Sequence, residues 1–154
     1  MININVKTNF INDKMKLPEY AREGDACVDI QANTLEDVIL AHGEQVLIPT
    51  GLFVELPKTT GYQGFNWVLD IVPRSGLANK FGITITNSPG KIDSQYRGEI
   101  GVIIRSTRKS KIIIRPGDRI AQMQLSKSYI MRFTDVSEIN ATNRGTGGFG
   151  SSGS

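Results

Sequence analysis

Two aspartates in this sequence stand where a carboxylate could do chemistry. Asp93 directly follows an isoleucine and is followed three residues later by Tyr96. A carboxylate walled by apolar groups can orient and deprotonate a water molecule, an effect worth about 10²- to 10⁴-fold in rate. Asp29, flanked by Val28 and Ile30, could lie near a cation that is bound to phosphate. Structural roles are also open: Asp93 could cap a turn, Tyr96 could pack in the core, and Asp29 could accept hydrogen bonds from backbone amides where a strand begins.

The binding of anions is indicated by a short stretch that follows an apolar strand. It reads Pro73-Arg74-Ser75-Gly76-Leu77-Ala78 and could open a short helix. Backbone amides, a hydroxyl group and a guanidinium group could then converge on one anion. A later turn, Pro116-Gly117-Asp118-Arg119-Ile120-Ala121-Gln122, also carries polar groups. Taken alone, the first stretch is equally compatible with a plain turn, and the second favours a local ion pair between Asp118 and Arg119.

The C-terminal segment 143–154 differs from the rest in composition. Phe149 is its one apolar side chain, so the segment cannot bury enough surface to offset the entropy of ordering. We expect it to be disordered until something binds. Arg144 offers a bidentate contact to an anion and Phe149 offers a stacking face for a base. The alternative is a flexible linker.

Short apolar stretches must position these side chains. They have period two or are continuous and β-branched, and Gly- and Pro-containing turns separate them. The pattern predicts an antiparallel sandwich or barrel with at most one short helix, near residues 76–81. The chain has 154 residues, 39% of them hydrophobic, which suffices for one core but not for two.

Charge and cysteine content narrow the class of function. The net charge of +3 is spread along the chain, and the basic run 105–111 lies between apolar stretches, which favours a solvated hairpin turn over a nucleic-acid surface. Cys27, the one cysteine, cannot form an intramolecular disulfide, and we interpret it as a small buried hydrophobic residue rather than a nucleophile. The N-terminal residues alternate in polarity as in a strand, unlike a signal peptide or a membrane anchor. We therefore expect a soluble, cytoplasmic protein without a nucleic-acid or membrane partner.

Taken in order, these stretches resemble the five motifs of the trimeric all-β dUTP pyrophosphatase (dUTPase) family. The resemblance spans residues 24–153 and is carried mainly by Ile92-Asp93-Ser94-Gln95-Tyr96-Arg97-Gly98, Gly117-Asp118-Arg119-Ile120-Ala121-Gln122 and Arg144-Gly145-Thr146-Gly147-Gly148-Phe149-Gly150-Ser151. It implies a jelly-roll-like antiparallel β-sandwich. It also implies one β domain with a nucleotide site over residues 1–141, and a flexible glycine-rich arm over 142–154 that closes over the substrate.

The resemblance further implies an enzyme, a dUTP diphosphatase that cuts dUTP between its α and β phosphates to give dUMP and pyrophosphate. Asp93 would activate the water that attacks the α-phosphorus in line, and Tyr96 would lie under the deoxyribose and leave no room for a 2′-hydroxyl. Uracil would lie in the turn 87–92, where backbone groups reject thymine and cytosine. The contacts implied in this turn are Asn87, Gly90, Lys91 and Ile92.

The phosphates would be bound by another part of the chain. The resemblance places Arg74, Ser75 and Gly76 on the phosphates and Gln122 in the same pocket. Mg²⁺ would be chelated mainly by the substrate triphosphate, with Asp29 reaching it through water only.

The arm would supply the remaining contacts. Arg144 would take the γ-phosphate and Phe149 would stack on uracil, a contact worth about 1 to 3 kcal/mol, and Gly150 and Ser151 would also touch the substrate. Each site of the implied homotrimer would then combine the uracil turn of one subunit, the phosphate contacts of a second and the arm of the third.

The sequence departs from the family pattern in the first motif. Ala26-Cys27-Val28 stands where alanine, glycine and an aromatic residue are usual, so the resemblance does not fix the placement of Asp29. Two other functions stay open. One is a dCTP deaminase of the same fold, against which Asp93 with Tyr96 and the arm argue. The other is a nucleotide-sensing regulator that binds a protein partner.

Overall fold

The computed structural model describes residues 1–59 and 64–148. Eleven strands and one helix lie in the described ranges: β1 (Asn5–Thr8), β2 (Val28–Gln31), β3 (Val38–Leu40), β4 (Gln45–Pro49), β5 (Leu52–Glu55), β6 (Phe65–Val72), α1 (Ser75–Phe81), β7 (Ile83–Ile85), β8 (Gly90–Asp93), β9 (Gly101–Ser106), β10 (Ile112–Ile114) and β11 (Arg119–Tyr129). The prediction of an all-β fold with one short helix is confirmed.

The strands form four small sheets in which every pairing is antiparallel. The largest has the order β2-β11-β6-β8, and a second has the order β4-β9-β7. Two-stranded sheets join β1 with β5 and β10 with β3. The long pairing of β6 with β11, from Phe65 opposite Tyr129 to Val72 opposite Gln122, is the central ribbon on which the other strands of the largest sheet are arranged.

The core consists mostly of β-branched and leucine side chains from all four sheets. Branching at Cβ favours the pleated, half-buried surface of a strand, which is why these residues form sheets rather than helices. Alternation then directs every second side chain inward. The largest side chains with less than 2% exposure are Ile30, Leu40, Ile48, Leu52, Leu69, Ile100, Val102, Ile104, Ile114, Ile120, Thr50 and Ser106.

Helix α1 is terminated by Gly82, which adopts the left-handed backbone conformation. Gly82 has φ 60° and ψ 32°, and its amide donates to the carbonyls of Ala78 and Leu77. A Cβ atom at this position would lie 2.9 Å from Oγ1 of Thr107. Both the torsion and the space therefore require glycine here.

The basic run 105–111 does not form the predicted hairpin. Strand β9 before it pairs with β4 and β7, whereas β10 after it pairs with β3. Arg105 and Ser106 end β9, and residues 107–111 are an exposed connection between two sheets, because the partners of each strand are supplied by other segments of the chain. A separate finding is that no helix in the described residues is long and apolar enough to cross a membrane.

Candidate functional site

One face of the four-stranded sheet is polar, and the other face packs on the core. Paired residues point to the same face and side chains alternate along each strand. The register therefore places Gln122 of β11, Asp29 of β2, Asp70 of β6, and Lys91 and Asp93 of β8 on one face. The opposite face directs Ile30, Leu69, Ile71 and Met123 into the core.

At one corner of the polar face, three side chains converge on one carboxylate group. Arg74 donates to Asp29 from Nε to Oδ1 at 2.8 Å and from Nη2 to Oδ2 at 3.3 Å. Gln122 donates from Nε2 to Oδ1 at 3.2 Å. Arg119 donates from Nη1 to Oδ2 at 3.1 Å. We call Asp29, Arg74, Arg119 and Gln122 the Asp29 cluster; it brings together residues that the sequence predicted in three separate motifs.

Arg119 is the member of this cluster that the sequence prediction missed. The predicted ion pair with its neighbour is wrong, because Asp118 instead accepts a hydrogen bond from the amide of Arg115 at 2.7 Å. Arg119 begins strand β11, which runs beside β2, so its side chain reaches Asp29 across the sheet. Spacing along the chain favours the adjacent aspartate, and only the strand pairing reveals the distant one.

Among the described residues, side chains rather than backbone amides hold Asp29, so the structural role left open above is not supported. Both of its oxygens accept hydrogen bonds from side chains, so the cluster fits a contact to Mg²⁺ through water rather than direct ligation. Within residues 1–59 and 64–148 no group of three or more His, Cys, Asp or Glu side chains could hold a metal ion.

A cavity of about 520 Å³ adjoins the Asp29 cluster, and Arg74 and Arg119 form part of its wall. Three further cationic side chains line it, and the rest of its lining is apolar except for Asp118. Ser75 and Gly76 lie beside Arg74 as the first residues of α1, and both are exposed. Positive charge thus extends beyond the cluster to the basic residues of the cavity wall, Arg108, Lys111 and Arg115.

At the opposite corner of the polar face, Asp93 ends strand β8 and is exposed. Its carbonyl accepts a hydrogen bond from the amide of Tyr96 at 3.0 Å, which forms the turn after the strand. The Tyr96 hydroxyl donates to the carbonyl of Glu99 at 2.9 Å. Tyr96 is 43% exposed, so it is not a core residue and its ring is open to a ligand.

Gly98 is a further residue of this corner, quoted in the motif but not assigned a role. A Cβ atom at Gly98 would collide with the ring and hydroxyl of Tyr96, which folds directly over this glycine. The signal was present in the sequence as a glycine two residues after a tyrosine. The requirement for glycine depends on the orientation of the Tyr96 ring, which cannot be obtained from the spacing of residues in the sequence.

The turn predicted to read a base lies at the start of β8. Gly90 is buried, and its missing side chain would lie 3.3 Å from the Asn87 amide nitrogen. Ile92 packs against the core. The Lys91 side chain turns to Asp70, with Nζ 2.6 Å from Oδ1. This leaves the exposed Asn87 side chain and the backbone of 90–92 as the parts of the turn that can face a ligand.

The two corners are far apart within one chain. Asp29 and Asp93 lie on the two edge strands, which are three strand spacings apart. Across the sheet, Asp29 is level with Val72 of β6 and Asp93 is level with Val68, so the two aspartates are also offset by four residues along the strands. With spacings of about 4.8 Å between strands and 3.3 Å per residue, the separation is roughly 20 Å. One ligand phosphate cannot contact both corners of the same chain.

The described part of the arm, 142–148, is held by its own hydrogen bonds. The amide of Gly145 donates to the carbonyl of Thr142, and Nε of Arg144 donates to the carbonyl of Gly147 at 2.8 Å. The predicted contacts of Phe149, Gly150 and Ser151 lie outside the described residues.

Cys27 is partly buried beside the Asp29 cluster, and its thiol lies 3.7 Å from Oε1 of Gln124. Burial raises the pKa of the thiol above its ordinary value, and the nearby Asp25 and Asp29 carboxylates add to the shift. A thiol that resists ionisation is a poor nucleophile. The geometry therefore agrees with a packing role.

Comparison with known proteins gives concordant matches. A family model described as dUTPase matches residues 13–153. Deoxyuridine 5′-triphosphate nucleotidohydrolase of Fusobacterium nucleatum subsp. nucleatum is 42% identical over 139 residues, 90% of both chains. The protein of the same name from Chlamydia trachomatis serovar L2 is 43% identical over 138 residues, 89% of this chain and 90% of its own.

Solved structures are similar over most of the chain. The Staphylococcus bacteriophage 80alpha dUTPase with dUpNHpp has a TM-score of 0.77 at 26% identity, covering 99% of both chains. The dUTPase from phage phi11 of S. aureus has a TM-score of 0.73 at 22% identity, covering 91% of this chain and 99% of its own, a likeness of fold.

Proposed function

The chain belongs to the dUTPase family, and we propose that it hydrolyses dUTP to dUMP and pyrophosphate. The observation that carries the proposal is the convergence of Asp29, Arg74 and Gln122, which come from three separate motifs, on one corner of the polar face. Two guanidinium groups beside a carboxylate suit a triphosphate that is bound together with its cation.

In the proposed reaction, Asp93 accepts a proton from a water molecule as the water oxygen attacks the α-phosphorus. The bond between the α-phosphorus and the bridging oxygen to the β-phosphate breaks, and its electron pair leaves with pyrophosphate. Asp93 is suited to this role because it is exposed at the end of an ordered strand. A positioned general base contributes about 10²- to 10⁴-fold in rate.

Arg74, Ser75, Gly76 and Gln122 are proposed to bind the phosphates. Arg74 is fixed by Asp29 at 2.8 Å before any ligand arrives, so little side-chain entropy is lost on binding. Mg²⁺, chelated by the triphosphate, would neutralise charge that develops on the phosphate oxygens. Asp29 would contact that ion through its bound water molecules rather than directly, because the oxygens of Asp29 already accept hydrogen bonds from side chains.

Base and sugar selection is assigned to the other corner. The Asn87 amide and the backbone of Gly90, Lys91 and Ile92 would pair with the edge of uracil, and a rigid backbone rejects a base whose donors and acceptors differ. Tyr96 would lie under the deoxyribose. Its hydroxyl bond to Glu99 and its contact with Gly98 support a fixed ring.

The separation of roughly 20 Å between the corners supports a site shared between copies of the chain. We propose a homotrimer in which Asp93 of one subunit acts beside the Asp29 cluster of another, while Arg144, Phe149, Gly150 and Ser151 of the third close the site. A chain truncated after Ala141 is then expected to lose most of its turnover, and full activity of that chain would contradict the role of the arm.

The shared site can be tested by mixing two inactive variants. Asp93→Asn and Arg74→Ala each remove one half of every site, but a mixed trimer contains some sites with both halves intact. After equal amounts are unfolded together and refolded, about a quarter of the sites should be restored by random assortment. Variants refolded separately and then mixed briefly are the control. No recovery in the co-refolded sample would contradict a shared site.

The reaction itself is tested by pyrophosphate release from dUTP, UTP, dTTP and dCTP with Mg²⁺, while ammonia is recorded from dCTP. Release from dUTP alone is expected. Ammonia from dCTP would instead identify a deaminase, and tight dUTP binding without turnover would identify a nucleotide-sensing regulator.

A further inference from the structure

Asp70 is a buried charged residue to which the proposed reaction assigns no role. It lies in the middle of β6 and is 6% exposed. Its Oδ1 accepts a hydrogen bond from Nζ of Lys91 at 2.6 Å, and its Oδ2 accepts one from Oγ of Ser126 at 2.8 Å. Both oxygens of the carboxylate are therefore occupied by side chains from the two neighbouring strands.

These bonds connect three adjacent strands of the polar face. Ser126 belongs to β11, Asp70 to β6 and Lys91 to β8. β8 is an edge strand whose backbone pairs with β6 over four residues, from Gly90 to Asp93. A short edge strand opens more readily than a central one, so a side-chain link adds order where the backbone ladder is weakest.

The position of the link along β8 gives it a functional consequence. Lys91 lies between Gly90 and Ile92 in the segment proposed to read uracil, and Asp93 follows two residues later on the same face. An unpaired carboxylate would be costly at the buried position of Asp70, so the carboxylate holds the ammonium group firmly. The Lys91 side chain is 54% exposed and would otherwise sample many rotamers.

We propose that Asp70 is a positioning residue for base selection, which acts by tying Lys91 and hence β8 to the centre of the sheet. This inference rests on the proposed function. Rejection of thymine requires a backbone that does not move aside for the 5-methyl group, and the link from Asp70 to Lys91 keeps it in place. Asp70 itself does not contact the substrate.

The test compares Asp70→Asn, Lys91→Met and Lys91→Arg with the starting chain. The first two weaken or remove the link, and the third keeps a cation that can pair with Asp70. Lys127→Met is the matched control, because Lys127 is a lysine on the other face of the same sheet, 4.5 Å from the Phe65 ring. The quantity measured is kcat/KM for dUTP divided by kcat/KM for dTTP.

This ratio is expected to fall about tenfold in Asp70→Asn and Lys91→Met, through a gain of activity on dTTP and a higher KM for dUTP. It should stay within about twofold in Lys91→Arg and Lys127→Met. A role in stability alone would lower the melting temperature and leave the ratio unchanged at 25 °C, and that result would overturn the proposal.

Hydrogen exchange of the backbone amides of 90–93 provides a readout that needs no activity. Faster exchange in Asp70→Asn, but not in Lys127→Met, is expected. If the starting chain fails to hydrolyse dUTP, the proposed function fails, while faster exchange would still show that Asp70 holds β8. Unchanged exchange in Asp70→Asn would overturn the positioning role whatever the activity.

Discussion

The two corners of the polar face are built on opposite principles. The Asp29 cluster is crowded, with both oxygens of its carboxylate bonded by arginine and glutamine side chains. The Asp93 corner is open, with an exposed carboxylate and an edge-strand backbone. The comparison teaches that the proposed phosphate site is prepared by ion pairs within one chain, whereas the carboxylate proposed as the general base is exposed to solvent.

The difference has an electrostatic reason. The arginines of the proposed phosphate site would repel one another if no carboxylate lay between them, and Asp29 offsets that repulsion in the free chain. A general base has the contrary requirement, because a hydrogen bond to its oxygens would compete with the water molecule that it must bind.

The largest expected effect separates chemistry from binding. Asp93→Asn should lower kcat by about 10²- to 10⁴-fold, because an amide cannot accept the proton of water. The affinity for dUTP should change little, since the Asp29 cluster is intact. Pyrophosphate release and titration calorimetry measure the two quantities. Equal losses of affinity and rate would mean that the corners are not divided in this way.

A smaller effect is expected from the tightest contact at the open corner. Gly98→Ala would force the Tyr96 ring to move, because the new methyl group would occupy its position. The preference for dUTP over UTP should fall about tenfold as room for a 2′-hydroxyl appears. Inhibition by pyrophosphate, which reports on the other corner, should be unchanged. Ser137→Ala, at an exposed position outside the arm and both corners, is the control substitution.

The crowded corner can be weakened through the residue that the sequence prediction missed. Arg119→Ala removes one donor to Asp29, and we expect KM for dUTP to rise about threefold to tenfold. Its side chain is 59% exposed, so solvent screening limits the effect. Arg115→Ala is the matched control, because Arg115 lines the same cavity without a side-chain bond to Asp29. Equal effects of both variants would indicate general attraction of the anion rather than organisation of the cluster.

The last prediction concerns stability and its dependence on pH rather than activity. Burial would raise the pKa of Asp70, but hydrogen bonds from Lys91 and Ser126 and the Lys91 charge outweigh it, and the pKa lies below its ordinary value of 3.8. The ionised carboxylate thus contributes stability above that value, and the contribution is lost as pH falls through the lowered pKa. Asp70→Asn should therefore cost about 1 to 3 kcal/mol at pH 7 and much less once the pH lies below the lowered pKa.

Urea unfolding of both chains at pH 7, 5 and about 3 checks this sign. Asp135→Asn, which changes an exposed carboxylate, is the control. A deficit in Asp70→Asn that grows on acidification would contradict the stabilising role of the charge.

Much of the fold follows from local pattern. Period-two apolar stretches with β-branched residues predict strands such as β7 and β9, and Pro73 to Gly76 predicts the start of α1. Asp29, Arg74 and Gln122 were predicted to meet because of a resemblance in motif order. Their contacts agree with it.

The rest depends on pairing between distant strands, which local pattern does not encode. Arg119 contacts an aspartate ninety residues away rather than its neighbour. Asp70 and Lys91 are polar residues in separate stretches of the sequence. Only the register between β6 and β8 shows that they lie opposite each other. The predicted hairpin at 105–111 is wrong for the same reason, because β9 and β10 pair with other strands and not with each other.

The alternation along β11 has a consequence for how such a chain can evolve. Ala121 and Met123 lie in the core, while Gln122, Gln124 and Ser126 lie on the polar face. Ala121 and Met123 are constrained by packing, whereas Gln122 lies beside the proposed phosphate site and does not belong to the buried core. Substitutions at position 122 can therefore change the proposed binding of phosphate while the scaffold is kept.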